Sequence, residues 1–151
     1  ARLAREQTNE QQRMLYYNAL AGARAADLVD RTVQIALQEP TLPPAETLPF
    51  LERAAKESGN PDLVWRLVFA NRSNILGRLS GLERQQALSR VARASANPAV
   101  AFELRWADPT RADRGLRRFA DEVAEEIELK TDLQKTLVPA VQKWIKAKGD
   151  R

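Results

Sequence analysis

The sequence predicts an all-α fold: a helical bundle or a short array of αα-hairpins, about five to seven helices, with long first and last helices. Three observations carry this. The 151 residues include 24 Ala and 19 Leu against 9 Val and 4 Ile, so strong helix formers dominate and β-branched residues are scarce. Apolar residues recur at threes and fours over long stretches. Proline, glycine and capping residues punctuate those stretches where helices start and stop. The length suits one domain over residues 1–151, large enough to bury a core without metal or disulfide.

Residues 1–12 are almost entirely polar and read as a helical extension or linker. From Met14, the residues Leu15, Ala19, Gly22, Ala26, Val29, Val33 and Leu37 fall on one face, which predicts a helix ending at Pro40. With the polar start included it would run nearly forty residues, roughly 55 Å at 1.5 Å per residue. Ala19, Gly22 and Ala26 would let a second helix approach closely. Pro40, Pro43, Pro44 and Pro49 mark a rigid connection into a helix of about residues 44–57. The Pro40-Thr-Leu-Pro43 spacing reads as connecting loop rather than partner ligand.

Asn60-Pro61 opens a helix through Phe69 and toward Leu79, with Asn at the N-cap and Pro at N1. Ser80-Gly-Leu-Glu83 has capping-box spacing and opens a helix to about Ser95. Asn97-Pro98 opens the next, to about Ala107. Asp108-Pro109-Thr110 breaks it, and a last helix follows from about Arg111, striped by Leu116, Phe119, Val123, Ile127, Leu133, Leu137, Val141 and Trp144 or Ile145. Pro139 predicts a kink near Val138, and Gly149 an end. Trp65, Trp106 and Trp144, with Phe50, Phe69, Phe102 and Phe119, are expected in the core. Of Tyr16 and Tyr17, at least one must face away from the main stripe.

Residues 51–69 and 88–106 align without a gap at a spacing of 37, with seven identities in nineteen positions: Leu51/Leu88, Arg53/Arg90, Ala55/Ala92, Ser58/Ser95, Asn60/Asn97, Pro61/Pro98 and Leu67/Leu104. Each copy is a helix end, an Asn-Pro turn and a helix start, the pattern of an αα-hairpin. Residues 51–107 thus read either as a two-copy repeat or as convergent helix-start chemistry. No third copy is visible in sequence: one period earlier the turn would fall at Ala23-Arg24, one later at Gln134-Lys135. A solenoid normally needs three units.

The chain has no Cys and no His, which removes thiol nucleophiles, disulfides, imidazole bases, His/Cys zinc sites and a Ser-His-Asp triad. No enzyme activity and no cofactor are expected. The acidic group Asp121, Glu122, Glu125, Glu126 and Glu128 lacks the Glu-x-x-His partners of bundle di-metal sites. It reads as a solvated face paired as Arg117–Asp121, Arg118–Glu122 and Glu126–Lys130. Arg66, Arg72, Arg78, Arg84 and Arg90 recur every six residues, which forms no helical stripe. No apolar run reaches the roughly 18 residues of a membrane span. The start at Ala1 suggests a processed protein or a piece of a larger one, and the compartment stays open.

Net charge is +4, distributed as −1 over residues 1–50 (five basic, six acidic), +6 over 51–120 (thirteen, seven) and −1 over 121–151 (six, seven). The excess is mostly arginine, 18 against 6 Lys, a side chain suited to fork-like binding of carboxylate and phosphate. The candidate surface is Arg105, Arg111, Arg114 and Arg118, the last three sharing a face at i, i+3, i+7 where cations oppose the helix macrodipole. The leading expectation is a non-catalytic helical protein–protein interaction domain, part of a larger protein or assembly, whose partner presents an acidic surface. The alternatives are an extracytoplasmic sensor domain of a membrane receptor binding a small anionic ligand, and a nucleic-acid-binding domain. Asp108 and Asp113 interrupt the arginines, which disfavours a long phosphate track.

Overall fold

The computed structural model describes residues 2–107 and 114–149. Among these residues it is all helical, with nine helices rather than five to seven and no strand. They are α1 (Arg2–Arg5), α2 (Glu10–Ala21), α3 (Ala26–Gln38), α4 (Pro44–Glu57), α5 (Pro61–Ala70), α6 (Arg72–Arg78), α7 (Gly81–Ala92), α8 (Pro98–Ala107) and α9 (Arg114–Gly149).

Two excess helices arise because the expected forty-residue first helix is three. Gly22 ends α2, its backbone N–H donating to the Leu20 carbonyl, and Ala25 opens α3 in an extended conformation. The Thr32 hydroxyl donates to the Leu20 and Leu28 carbonyls, 3.1 and 2.8 Å away. It thereby ties the end of α2 to α3. Gly22 thus serves a corner, not the close helix approach expected. The polar start does not project either: Ala4 is fully buried and Arg5 is ion-paired to Glu39. A further break at Asn71 divides the stretch 61–79, with the Asn71 side chain donating to the Leu67 carbonyl at 2.8 Å.

The helices stack in two layers. One runs α2, α4, α7, α9, each in contact with the next; behind it lie α3, α5 and α8. The core between them holds Leu42, Leu48, Phe50, Leu51, Trp65, Ile75, Leu88, Leu104 and Ile127. Tyr17 meets Phe50 edge-on at 6.1 Å, while Tyr16 faces outward. Phe69 and Phe119 are half-buried. Three aromatics expected in the core are not there. Phe102, Trp106 and Trp144 are exposed, at 63, 73 and 60%, because none of the described helices packs over that side of α8 or the far half of α9.

Three helix pairs, α2–α3, α4–α5 and α7–α8, turn at the same end of the stack, and their turns are bonded to one another. The first falls at Gly22–Ala25, where the sequence comparison finds no copy. Asn60 Nδ2 donates to the Arg24 carbonyl at 2.8 Å, and Asn97 Nδ2 to Asp62 Oδ2 at 3.0 Å. The later two turns share local bonds at a 37-residue offset. Ser58 Oγ accepts the Asn60 N–H and Ser95 Oγ the Asn97 N–H. The Asn60 carbonyl accepts from Leu63 and Val64, and the Asn97 carbonyl from Val100 and Ala101.

They differ at one residue. Gly59 takes the left-handed φ of +71°, whereas the aligned Ala96 does not. Consistent with this, Asn97 Oδ1 caps α8 through the Ala99 N–H at 3.0 Å, but Asn60 makes no side-chain cap bond to α5. The expectation that both asparagines cap is corrected for Asn60, whose amide is spent on the Arg24 and Ser58 carbonyls.

Glu39, at the corner after α3, is the buried charge of the fold. Its Oε2 accepts from Arg5 Nε at 2.9 Å and lies 2.7 Å from Arg5 Nη2. Its Oε1 accepts from Thr41 Oγ1 at 2.8 Å, and Thr41 in turn bonds the Tyr17 hydroxyl at 2.5 Å. Arg78 of α6 donates to the carbonyls of Leu37, Glu39 and Leu42, so it serves one of the last carbonyls of α3 and two of the corner that follows. The Arg5 hydrogen bond is the largest cause holding the Glu39 carboxyl below its usual range; burial opposes it and Thr41 assists.

Two outcomes follow. A folded-state carboxyl held below its unfolded value stabilises fully above the unfolded value and loses that contribution as pH falls through the folded one. The stability advantage of the native chain over Glu39→Gln should therefore be level near neutrality and shrink under acid, read from denaturation midpoints across pH; a difference independent of pH contradicts the assignment. Loss of the Asn97 cap in Asn97→Ala should cost about 1 kcal/mol in the same assay.

Candidate functional site

The backbones of α5 and α8 stand apart and meet through side chains, leaving an open groove of about 350 Å³. Helical spacing sets its walls: Asp62, Trp65, Arg66 and Phe69 lie on one side of α5, and Ala99, Val100 and Glu103 on the facing side of α8. Trp65 is buried in the floor, stacked on Phe69 at 5.0 Å. Its indole N–H donates to Glu103 Oε2 at 2.6 Å, across the groove. The Arg72 guanidinium lies 4.7 Å over the Phe69 ring.

The two carboxylates of the groove are engaged by internal donors. Asp62 accepts from Ser95 Oγ at 2.5 Å and from Asn97 Nδ2 at 3.0 Å, while Glu103 accepts from Trp65. Arg66 stands exposed at the mouth. What remains for a ligand is an aromatic floor edged by half-buried Phe69, the exposed Ala99 and a cation at the rim. No group of His, Cys, Asp or Glu among the described residues is placed to hold a metal ion, and no helix is long and apolar enough to cross a membrane.

Of the arginines singled out in the sequence, Arg105 is engaged by α9, and Arg114 and Arg118 are exposed. Arg105 forks onto Glu128, with Nη2 donating to Oε2 at 3.1 Å and Nη1 to Oε1. That bond is the main cause raising the Arg105 guanidinium above its usual range, and it fastens α8 to α9. Arg111 lies outside the described residues. Arg114 and Arg118 are both exposed, on adjoining turns of α9, and Arg118 Nε donates to Glu122 Oε1 at 3.0 Å, as its spacing predicts. Ten residues separate Arg118 from Glu128, the Arg105 partner, about 15 Å along the helix.

The expected pair Glu126–Lys130 is replaced by cross-helix bonds. Glu126 takes Arg93 at 3.1 Å, and Lys130 donates to the Arg93 carbonyl. Arg90, on the six-residue arginine series, forks onto Glu52 of α4 at 2.8 and 2.7 Å. The groove itself escapes sequence reasoning, because its residues come from two helices whose facing sides depend on how the hairpins stack. The one available signal is the 37-residue offset, which puts Asp62 near Asn97 and Trp65 near Glu103.

Comparison with protein-family models, with curated proteins and with solved structures finds no match.

The exposed arginines are separable from the structural one. Arg114→Glu and Arg118→Glu should each change stability by no more than about 0.5 kcal/mol in denaturant melts. Arg105→Glu, which sets two carboxylates against each other between α8 and α9, should lower the midpoint clearly. Equal effects at all three positions would contradict this division.

Proposed function

We propose that the chain is a non-catalytic helical interaction module of a larger protein or assembly, and that the α5–α8 groove receives an acidic segment of another protein. The observation that carries this is the state of the groove. Its two carboxylates are turned to the internal donors Ser95, Asn97 and Trp65, while Arg66 at the rim and Arg72 over Phe69 set two cations beside the aromatic floor. An extended segment with one apolar anchor side chain flanked by Asp or Glu complements such a groove: the anchor meets Phe69 and Ala99, and a carboxylate meets Arg66. Small concave sites of this kind, apolar with a few placed polar groups, are where partners and ligands dock. The central +6 of the sequence favours an acidic partner through electrostatic steering.

The test is a panel of short acidic peptides, each with one aromatic or leucine anchor, titrated against the protein by NMR. Binding should move the Trp65 indole N–H and the amides around Val100. Arg66→Glu should weaken it about tenfold, as loss of a complementary charge does, and Ala99→Arg, at an exposed lining position, should block it. Peptides that fail to bind, or that bind elsewhere without responding to these variants, overturn the reading. So does tight binding of duplex DNA or single-stranded RNA with a steep salt slope.

A further inference from the structure

α9 is 36 residues long, but only its first half is docked. Ala120, Val123, Ala124, Ile127 and Thr131 are buried, and every residue from Asp132 to Lys148 is exposed. The docked part ends at the level of the hairpin turns, where Lys130 donates to the Arg93 carbonyl and Thr131 Oγ1 to the Ala96 carbonyl at 2.6 Å. Beyond that level Leu133, Leu137, Val141 and Trp144 share one face and Val138 and Ile145 border it, all between 44 and 60% exposed. A solvated helix this short has little stability of its own. Meanwhile Phe102 and Trp106 stand exposed on α8, their rings 6.3 Å apart.

The structure carries the helix straight through this level, with Thr136 Oγ1 donating to the Asp132 carbonyl at 2.7 Å, but three features favour a turn just past Thr131. The preceding helix pairs turn at Gly22–Ala25, 58–60 and 93–97, and one 37-residue period after Asn97-Pro98 is Gln134-Lys135. Pro139 has no N–H to give the Lys135 carbonyl, so the helical ladder already lacks a bond there. In a helix beginning at Leu137, after Thr136 as N-cap, that missing N–H falls in the first turn and costs nothing. Finally, charge divides α9 at the same point: residues 119–132 hold six carboxylates and one lysine, and residues 133–149 four lysines and no carboxylate.

We propose that residues 136–148 are the closing helix of the array: the chain turns back at 132–135, lays the apolar face of this segment on Phe102 and Trp106 of α8, and sets Lys143 and Lys146 beside Glu125 and Glu122. An antiparallel return about residue 134 brings those levels together, since 143 and 146 lie as far beyond it as 125 and 122 lie before it. A segment of about 13 residues also matches the 13, 10 and 10 of α3, α5 and α8. The exposed apolar side chains of both surfaces are buried at the expense of one turn of backbone bonds. The α5–α8 groove plays no part in this inference, and either stands without the other.

The chain has no cysteine, so spin labels can be placed at Gln85→Cys on α7 and Gln142→Cys, both exposed and outside the proposed contact. With α9 straight, these positions are offset by about 30 Å along the helix axes; folded back, they lie at nearly the same level. Electron–electron resonance on the full chain, diluted with unlabelled protein, should therefore show the label distance shortened by about 10 Å or more relative to the straight helix. Lys143→Glu with Lys146→Glu should lengthen it, and adding Glu122→Lys with Glu125→Lys should restore it. The long distance in the unaltered background overturns the proposal. A short distance that disappears on dilution with unlabelled chains also overturns it, because the segment then covers a second copy. A short distance indifferent to charge reversal overturns the assigned register.

Discussion

The stack depends on satisfying the polar groups that helix ends expose. A helix leaves its last carbonyls and first amides without partners, and here three turns and the waist of α9 supply partners to one another along one end of the molecule. The Asn60 amide reaches the Arg24 carbonyl, the Asn97 amide reaches Asp62, and Lys130 and Thr131 reach the Arg93 and Ala96 carbonyls. Each bond joins one hairpin to the next, so together they set the register of the layers. Apolar contacts alone are non-directional and would tolerate sliding between Ala- and Leu-rich faces.

A second polar group fastens the opposite concern, the corner between α3 and α4. Glu39 is removed from water at the meeting of α1, α2 and the corner itself, and its oxygens are taken by Arg5 and Thr41. A buried carboxylate with one side unpartnered would be strongly destabilising, so the short α1 is held to the body although most of its surface is polar. Arg78 completes the corner by closing three carbonyls from α6. This explains why Ala4 and Arg5 belong to the packed structure. It also illustrates that a perturbed carboxyl is not by itself a reactive one: with donors on both oxygens, Glu39 has a structural role.

The groove and the uncovered faces arise from the same stacking geometry. In the α2–α4–α7–α9 layer each helix touches its neighbour, whereas α5 and α8 are bridged by Trp65 and Glu103 rather than by close backbones. The carboxylates that line this opening accept the bridging bonds and keep their charge, with Arg66 at the rim and Arg72 over Phe69 set against them. The apolar surface of α8 and of the far half of α9 is left over because each helix of the rear layer needs a following member to cover it.

All-α class, most helix boundaries from Pro44 onward and the Arg118–Glu122 pair were legible in the sequence, because they follow from local rules: propensity, proline at N1, spacing of four. Also legible was the 37-residue offset, whose bonds at Ser58/Ser95 and Asn60/Asn97 depend on short-range geometry. The corner at Gly22–Ala25 was not, since an uninterrupted apolar stripe conceals a break that Thr32 and Asn60 enforce from elsewhere in the chain. Nor was the fate of the arginines: Arg78, Arg90 and Arg105 look alike in sequence, and only their distance from the Leu37 carbonyl, Glu52 and Glu128 gives each its task. The exposure of Phe102, Trp106 and Trp144 was likewise decided by tertiary structure. Whether an apolar side chain is buried depends on a covering helix, and periodicity within one helix carries no information about its neighbours.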